Sequence, residues 1–208
     1  MSLRRPWPLR GVHEWLARAD PPGNADLIFV LAGRASRKVY GLRLFTEDRA
    51  PRILLSTARF EIRRFANLPL PVPLDLLHMV SAVPPRQRHF FVCFERQTSQ
   101  VERIPLGKLG TFSEIEQLAS WLRIRPQIGS VLIVSSGAHL RRVRMCCQAL
   151  LPKGVLLRFV AVPESASGAK SENIRGEVTT DAEILTELPK LMVYRLVLSL
   201  RTAQTIHN

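Results

Sequence analysis

The sequence predicts an α/β fold, a three-layer Rossmann-like open sheet, mostly parallel, in a single domain, and three observations carry that reading. Short, nearly continuous apolar runs, DLIFVLA over Asp26 to Ala32, RILL over Arg52 to Leu55 and SVLIV over Ser130 to Val134, have the form of strands buried on both faces. Segments with apolar residues at helical spacing alternate with them. The 208 residues, 46% of them apolar, suffice for one core, and 11 Gly and 15 Pro are too few for a collagen-like or low-complexity chain.

Taken in order, Met1 to Asn24 reads as a basic, Pro-containing lead (1–24) to an α/β unit over 25–200, with 201–208 as a tail. The lead has no continuous apolar stretch, so no signal peptide or membrane anchor is expected. The first strand ends at Gly33. Val39, Leu42 and Phe45 then fall on one helical face before Ala50-Pro51 stops the element, and the second strand follows, which makes a strand–helix–strand crossover. A short basic helix is expected over Phe60 to Phe65, then a Pro-rich stretch and a weak element near Leu74 to Val83. HFFVCF (His89 to Phe94) is β-rich, with Ser99 to Ile104 returning beside it as a hairpin or edge excursion.

Thr111 to Arg123 reads as a helix: Ile115, Leu118, Ala119 and Leu122 share a face, and Thr111 with Glu114 matches a T-x-x-E capping box. The apolar run ending at Val134 stops at Ser135-Ser136-Gly137, directly before a helix with Leu140, Val143, Cys147 and Leu150 inward. Gly154 to Val162 gives a further strand, Pro163 to Arg175 a small-residue loop, and Asp181 to Leu200 a long final helix.

Thirty Lys plus Arg against 17 Asp plus Glu give a net charge of +13. Because arginine is scattered along the whole chain, the excess is not focused into a nucleic-acid footprint, and nucleic acid is the disfavoured partner. The three cysteines, Cys93, Cys146 and Cys147, have no CxxC or metal spacing and lie in apolar segments, as buried thiols of a reducing compartment do. The longest late apolar stretch, Leu191 to Leu200, is interrupted by Arg195 and too short to span a bilayer, so the expectation is a cytoplasmic protein with no transmembrane segment.

Ligands of open parallel sheets bind beyond the carboxyl ends of the strands, which directs attention to the segments after Ala32, Leu55, Phe94 and Val134. The Ser135-Ser136-Gly137 turn offers backbone N–H groups at a helix start, suited to an anion. Three residues apart on that helix, Arg142 could fork onto a phosphate or carboxylate while His139 moves a proton on the same ligand. The blander alternative makes His139 a cap or loop contact and Arg142 a solvated charge. Glu114 is the other candidate acid or base, against the alternative that it only completes the capping box. Gly33 to Lys38 lacks both GxGxxG and GxxxxGK[ST], which disfavours a nicotinamide cofactor or P-loop nucleotide, and no cofactor is otherwise indicated. Arg37 could reach a phosphate, Ser56 offers a hydroxyl after the second strand, and Arg59 to Arg64 (RFEIRR) reads as a solvated face. No GxSxG, HExxH or paired acidic motif is present, so neither a serine-hydrolase triad nor a metal site is expected.

In this order, DLIFVLAG, Arg37, the G-x-x-L-F stretch before APRILLS, Thr111 with Glu114, Ser136-x-x-His139-x-x-Arg142 and the KLMVYRL helix (Lys190 to Leu196), these residues resemble the ElyC/SanA/YdcF family of bacterial domains. The likeness runs from about Asp26 to Leu198. It implies a Rossmann-like sheet with a polar pocket at the carboxyl edge that gathers Arg37, Thr111, Glu114, His139 and Arg142. It also implies an undefined activity linked to the bacterial cell envelope, which on the chemistry of those residues would be hydrolysis or group transfer on an anionic or phosphorylated small molecule. The chain departs from the family's glycines at Arg34 and Thr57-Ala58, and from its approach to the T-x-x-E helix at Pro105, Lys108 and Gly110. Those departures put a close phosphate cradle in doubt and keep open a second reading, a non-catalytic basic module for nucleic acid, anionic lipid or an acidic protein.

Overall fold

The computed structural model describes residues 7–105, 107, 109–163 and 181–206. Helix α1 (Trp7–Leu16) leads into strand β1 (Leu27–Val30), α2 (Ala35–Thr46) and β2 (Arg52–Ala58). Two single-turn helices, α3 (Ile62–Phe65) and α4 (Leu76–Met79), and a 3-10 turn at Pro85–Gln87 precede β3 (His89–Glu95) and β4 (Thr98–Arg103). Then come α5 (Gly110–Arg123), β5 (Ser130–Ser135), α6 (Gly137–Leu150), β6 (Leu156–Ala161) and α7 (Asp181–Ile206). The small-residue loop expected over Pro163 to Arg175 lies, after Pro163, outside the described residues.

The six strands are ordered β4-β3-β2-β1-β5-β6. β2, β1, β5 and β6 are parallel, and β3 and β4 each run antiparallel to the preceding strand in the chain. The fold is therefore the expected three-layer, mostly parallel sheet. Alternation along β1 sends Leu27 and Phe29 to one face with Ile115, Leu118 and Leu140 from α5 and α6. Ile28 and Val30 go to the other face, with Leu42 from α2 and Ile62 and Phe65 from α3. All four β1 residues are fully buried, as a central strand covered by helices on both faces requires.

Two features depart from the sequence reading. The lead contains a helix, α1, whose following turn is clamped to the sheet: Asp20 Oδ2 accepts from Phe159 N at 2.8 Å, and Asp20 N donates to Phe159 O at 2.7 Å. Gly137 is what lets this segment approach α6, since a Cβ there would lie 3.1 Å from Ala17 Cβ. The second departure is the direction of β3. Its antiparallel course carries Phe94 to the edge opposite the carboxyl ends of β1 and β2 and brings His89 to them, with Ala58 paired to His89. The segment after Phe94 is thus excluded from the site edge that sequence order assigned to it.

Candidate functional site

The order of strands reverses between the parallel neighbours β1 and β5: the crossover from β1 goes to β2 on one side, and β6 lies beyond β5 on the other. That reversal opens the loops after β1 and β5 away from each other, which is where ligands sit in open α/β sheets. Most residues singled out from the sequence meet there. Ala32, just past β1, is held from two sides, its N–H donating to Glu114 Oε1 at 2.7 Å and its carbonyl accepting from Arg37 Nη1 at 2.6 Å. Arg37 Nε donates to Ser136 Oγ at 2.8 Å, joining the first loop to the start of α6. Gly33 has φ +131°, a conformation an L side chain rarely adopts, and its N–H donates to Glu61 Oε1 at 2.8 Å.

Glu114 does not complete a capping box. Helix α5 begins at Gly110 with Leu109 at its N-cap and no side-chain cap bond, which puts Thr111 inside the helix. Freed from that role, Glu114 points under the β1 loop, 5% exposed, and also bonds the Ser56 hydroxyl. Burial raises its pKa, opposed by the bonds from Ala32 and Ser56. Ser56 Oγ lies 2.8 Å from His89 Nε2. Glu114, Ser56 and His89 thus form a continuous buried hydrogen-bond chain, and reversing each bond along it moves a proton between carboxyl and imidazole. Burial, aided by Lys38, lowers the His89 pKa to about 4, so the ring is neutral at pH 7.

His139 and Arg142 share a face of α6, as their spacing predicts, and both turn to Glu187 of α7. Arg142 Nε and Nη2 fork onto its carboxylate at 2.9 and 3.3 Å, and Arg142 Nη1 donates to Thr111 Oγ1 at 2.5 Å. Arg142 is neither solvated nor open to a ligand, because its fork is filled. His139 Nδ1 is 2.9 Å from Glu187 Oε1. The charged acceptor fixes Nδ1 as the N–H, which leaves Nε2 as the acceptor; the 3.3 Å approach of Arg142 Nη2 to the same nitrogen is then a contact between two donors. Burial lowers the His139 pKa, with Glu187 opposing, so the imidazole is a neutral base. Glu187 is fully buried, which pushes its carboxyl up, yet His139, Arg142 and Lys190 bring it down to about 2.

Beside this cluster is a cavity of about 220 Å³ lined by His13, Arg34, Ser136, Gly137, His139 and Glu183. His139, Ser136 and Gly137 line it; Arg37, Thr111, Glu114 and Arg142 do not. Ser135 is fully buried and its hydroxyl has no hydrogen-bond partner among the described residues.

Glu187, Glu61, Lys38 and His89 were not found from the sequence. Glu61 sits inside RFEIRR, but the solvated residues of that run are the arginines and Phe60, while Glu61 is drawn inward. Its Oε2 pairs with Lys38, which is 2% exposed, and Oε1 takes Gly33 N, so α3 closes the β1 loop. A lone carboxylate between buried Ile62 and Phe60 was the available signal. For Glu187 it was a single acid at the position of α7 that turns inward with Ile184 and Tyr194. The three cysteines are free, and burial raises the pKa of each, to about 11 for Cys93 and about 12 for Cys146, so they are inert thiols. Among the described residues no helix is long and apolar enough to cross a membrane.

No protein-family model, curated protein or solved structure matches the chain.

Proposed function

We propose that this chain binds an anionic or phosphorylated small molecule at the carboxyl edge of its sheet and acts on it by hydrolysis or group transfer. One observation carries the reading: a neutral histidine, oriented by a buried carboxylate, faces a cavity whose other wall is the Ser136-Gly137 start of a 14-residue helix. An anion is favoured at that helix start by its N–H groups, with the buried Arg37 bonded to Ser136 behind it and Arg34, which an anion would have to draw from its pairing with Glu183, at the rim. His139 Nε2 is the base that takes a proton from the attacking hydroxyl or water, and Glu187 stabilises the imidazolium so formed. Glu114, whose raised pKa favours the protonated form, fixes the Ala32 peptide and is the reserve acid outside the cavity lining. Arg142 acts through Glu187 and Thr111 as a positioning residue. Of these residues, Arg37, Thr111, Glu114, Ser136, His139 and Arg142 are among those on which the likeness to the ElyC/SanA/YdcF family rests, and with that likeness goes a role in bacterial cell-envelope metabolism. The free thiols, of which Cys146 and Cys147 are buried, support a cytoplasmic location.

The test is turnover of a panel of phosphate monoesters and diesters. His139→Ala is expected to lower kcat by about 10²–10⁴-fold, with a smaller loss for Glu114→Gln. Full activity in His139→Ala would remove the acid/base role.

A further inference from the structure

Away from the His139 cavity, at the same sheet edge, a groove of about 760 Å³ is lined by Arg59, Phe60, Arg86, Arg88, His89 and Arg103. The strand register assembles it: Ala58 ends β2 opposite His89, and Arg103 ends β4 opposite Phe90. Among the described residues none of the four arginines forms an ion pair. Their hydrogen-bond partners are neutral. Arg88 Nε and Nη2 donate to the carbonyls of Val83 at 2.7 Å and Ser81 at 3.0 Å, and Arg103 Nη1 donates to Gln87 Oε1 at 3.1 Å. Arg59 lies over the Phe60 ring, 4.1 Å from its centroid. The carboxylates next to these arginines in sequence are turned elsewhere, Glu61 to Lys38 and Gly33, while Glu102 alternates to the opposite face of β4 from Arg103.

Four like charges around one groove repel each other, and guanidiniums held by neutral carbonyls keep their full charge and their orientation. Phe60 is 76% exposed, with Arg59 over one face of its ring, and so offers an accessible aromatic surface beside the arginines. His89 adds a neutral imidazole, 5% exposed, whose Nδ1 has no hydrogen-bond partner. The volume falls within the range of small-molecule sites.

We infer that this groove is a second binding site, for a small molecule that carries at least two phosphates and an aromatic base: a nucleoside diphosphate. The arginines take the phosphates and Phe60 stacks the base, a pairing of contacts that nucleic-acid-binding surfaces also use. The inference stands on different residues from the function proposed above, so either can fail without the other.

Calorimetric titration with ADP, inorganic pyrophosphate and a single-stranded oligo-dT at about 150 mM salt tests it. ADP is expected to bind, with affinity falling by at least about tenfold in Arg59→Ala/Arg103→Ala. Phe60→Ala is expected to weaken ADP by about tenfold and leave pyrophosphate unchanged. Both arginines and Phe60 are exposed, so these variants fold, and Arg123→Ala, at the exposed end of α5 and outside the groove, should bind ADP as wild type does. Absence of ADP binding, equal binding in the arginine variant, or oligo-dT binding tighter than ADP would overturn the inference, the last in favour of a nucleic-acid surface.

Discussion

Glu187 of α7 receives Arg142 Nε and His139 Nδ1 of α6, each at 2.9 Å, on a side chain that is fully buried. One carboxylate therefore sets both residues that the S-x-x-H-x-x-R spacing singles out, and ties the last helix to the site.

Breaking this pair should be costly. Arg142→Ala leaves a buried carboxylate short of its main partner, and the expected loss is about 3–5 kcal/mol, read from the urea midpoint at unchanged slope. A loss below about 1 kcal/mol, the range of a surface ion pair, would contradict the geometry.

Acid should act on Glu187 in a defined window. Its folded pKa of about 2 lies below the ordinary 4.5, so its stabilisation is complete above pH 4.5 and is lost as pH falls towards 2. Glu187→Gln is expected to flatten the stability profile over that range, measured by urea titrations at stepped pH.

His89 shifts downward too, and acts in a milder window. With a folded pKa of about 4 against 6.5, it binds a proton more readily in the unfolded chain, so stability is full above pH 6.5 and declines as pH falls to 4. His89→Gln should remove that slope between pH 6.5 and 4; an unchanged slope would mean the imidazole is not buried in neutral form.

Gly33→Ala combines two penalties. The φ of +131° strains any L residue, and the new Cβ would lie 2.8 Å from Arg37 Nη1. The expected loss is roughly 1–3 kcal/mol, and because Arg37 is a flexible side chain, removing it as well in Gly33→Ala/Arg37→Ala should cost less than the two single losses summed. Additive losses would show that the arginine does not pack against this glycine.

The central strands and their helices were legible because burial on both faces demands unbroken apolar runs, and β1, β2 and β5 have them. The existence of β3 was equally legible in HFFVCF. Its direction was not, since that depends on the segment between Ala58 and His89: α3 and α4 are too short to form a crossover helix, and the chain returns to the edge it left. Arg37, Glu114, His139 and Ser136 were found by motif order, and the structure brings them within one hydrogen-bonded cluster. Their partners were not, because nothing local links Glu187 to residues 45 and 48 positions earlier, or distinguishes Glu61 from the arginines around it. The capping-box reading of Glu114 failed for a related reason: the T-x-x-E spacing is satisfied by a helix that starts two residues too early for Thr111 to act as its cap.

The most direct measurement is a thermal-shift titration with phosphorylated small molecules, made in the Arg59→Ala/Arg103→Ala background so that only the His139 cavity is read. A ligand at a hundred times its Kd should stabilise by roughly 2.7 kcal/mol, or about 5–10 °C for a chain of this size. The account predicts such a shift, lost when His139→Ala is added; a panel with no stabilising ligand, or a shift that survives the loss of His139, would contradict it.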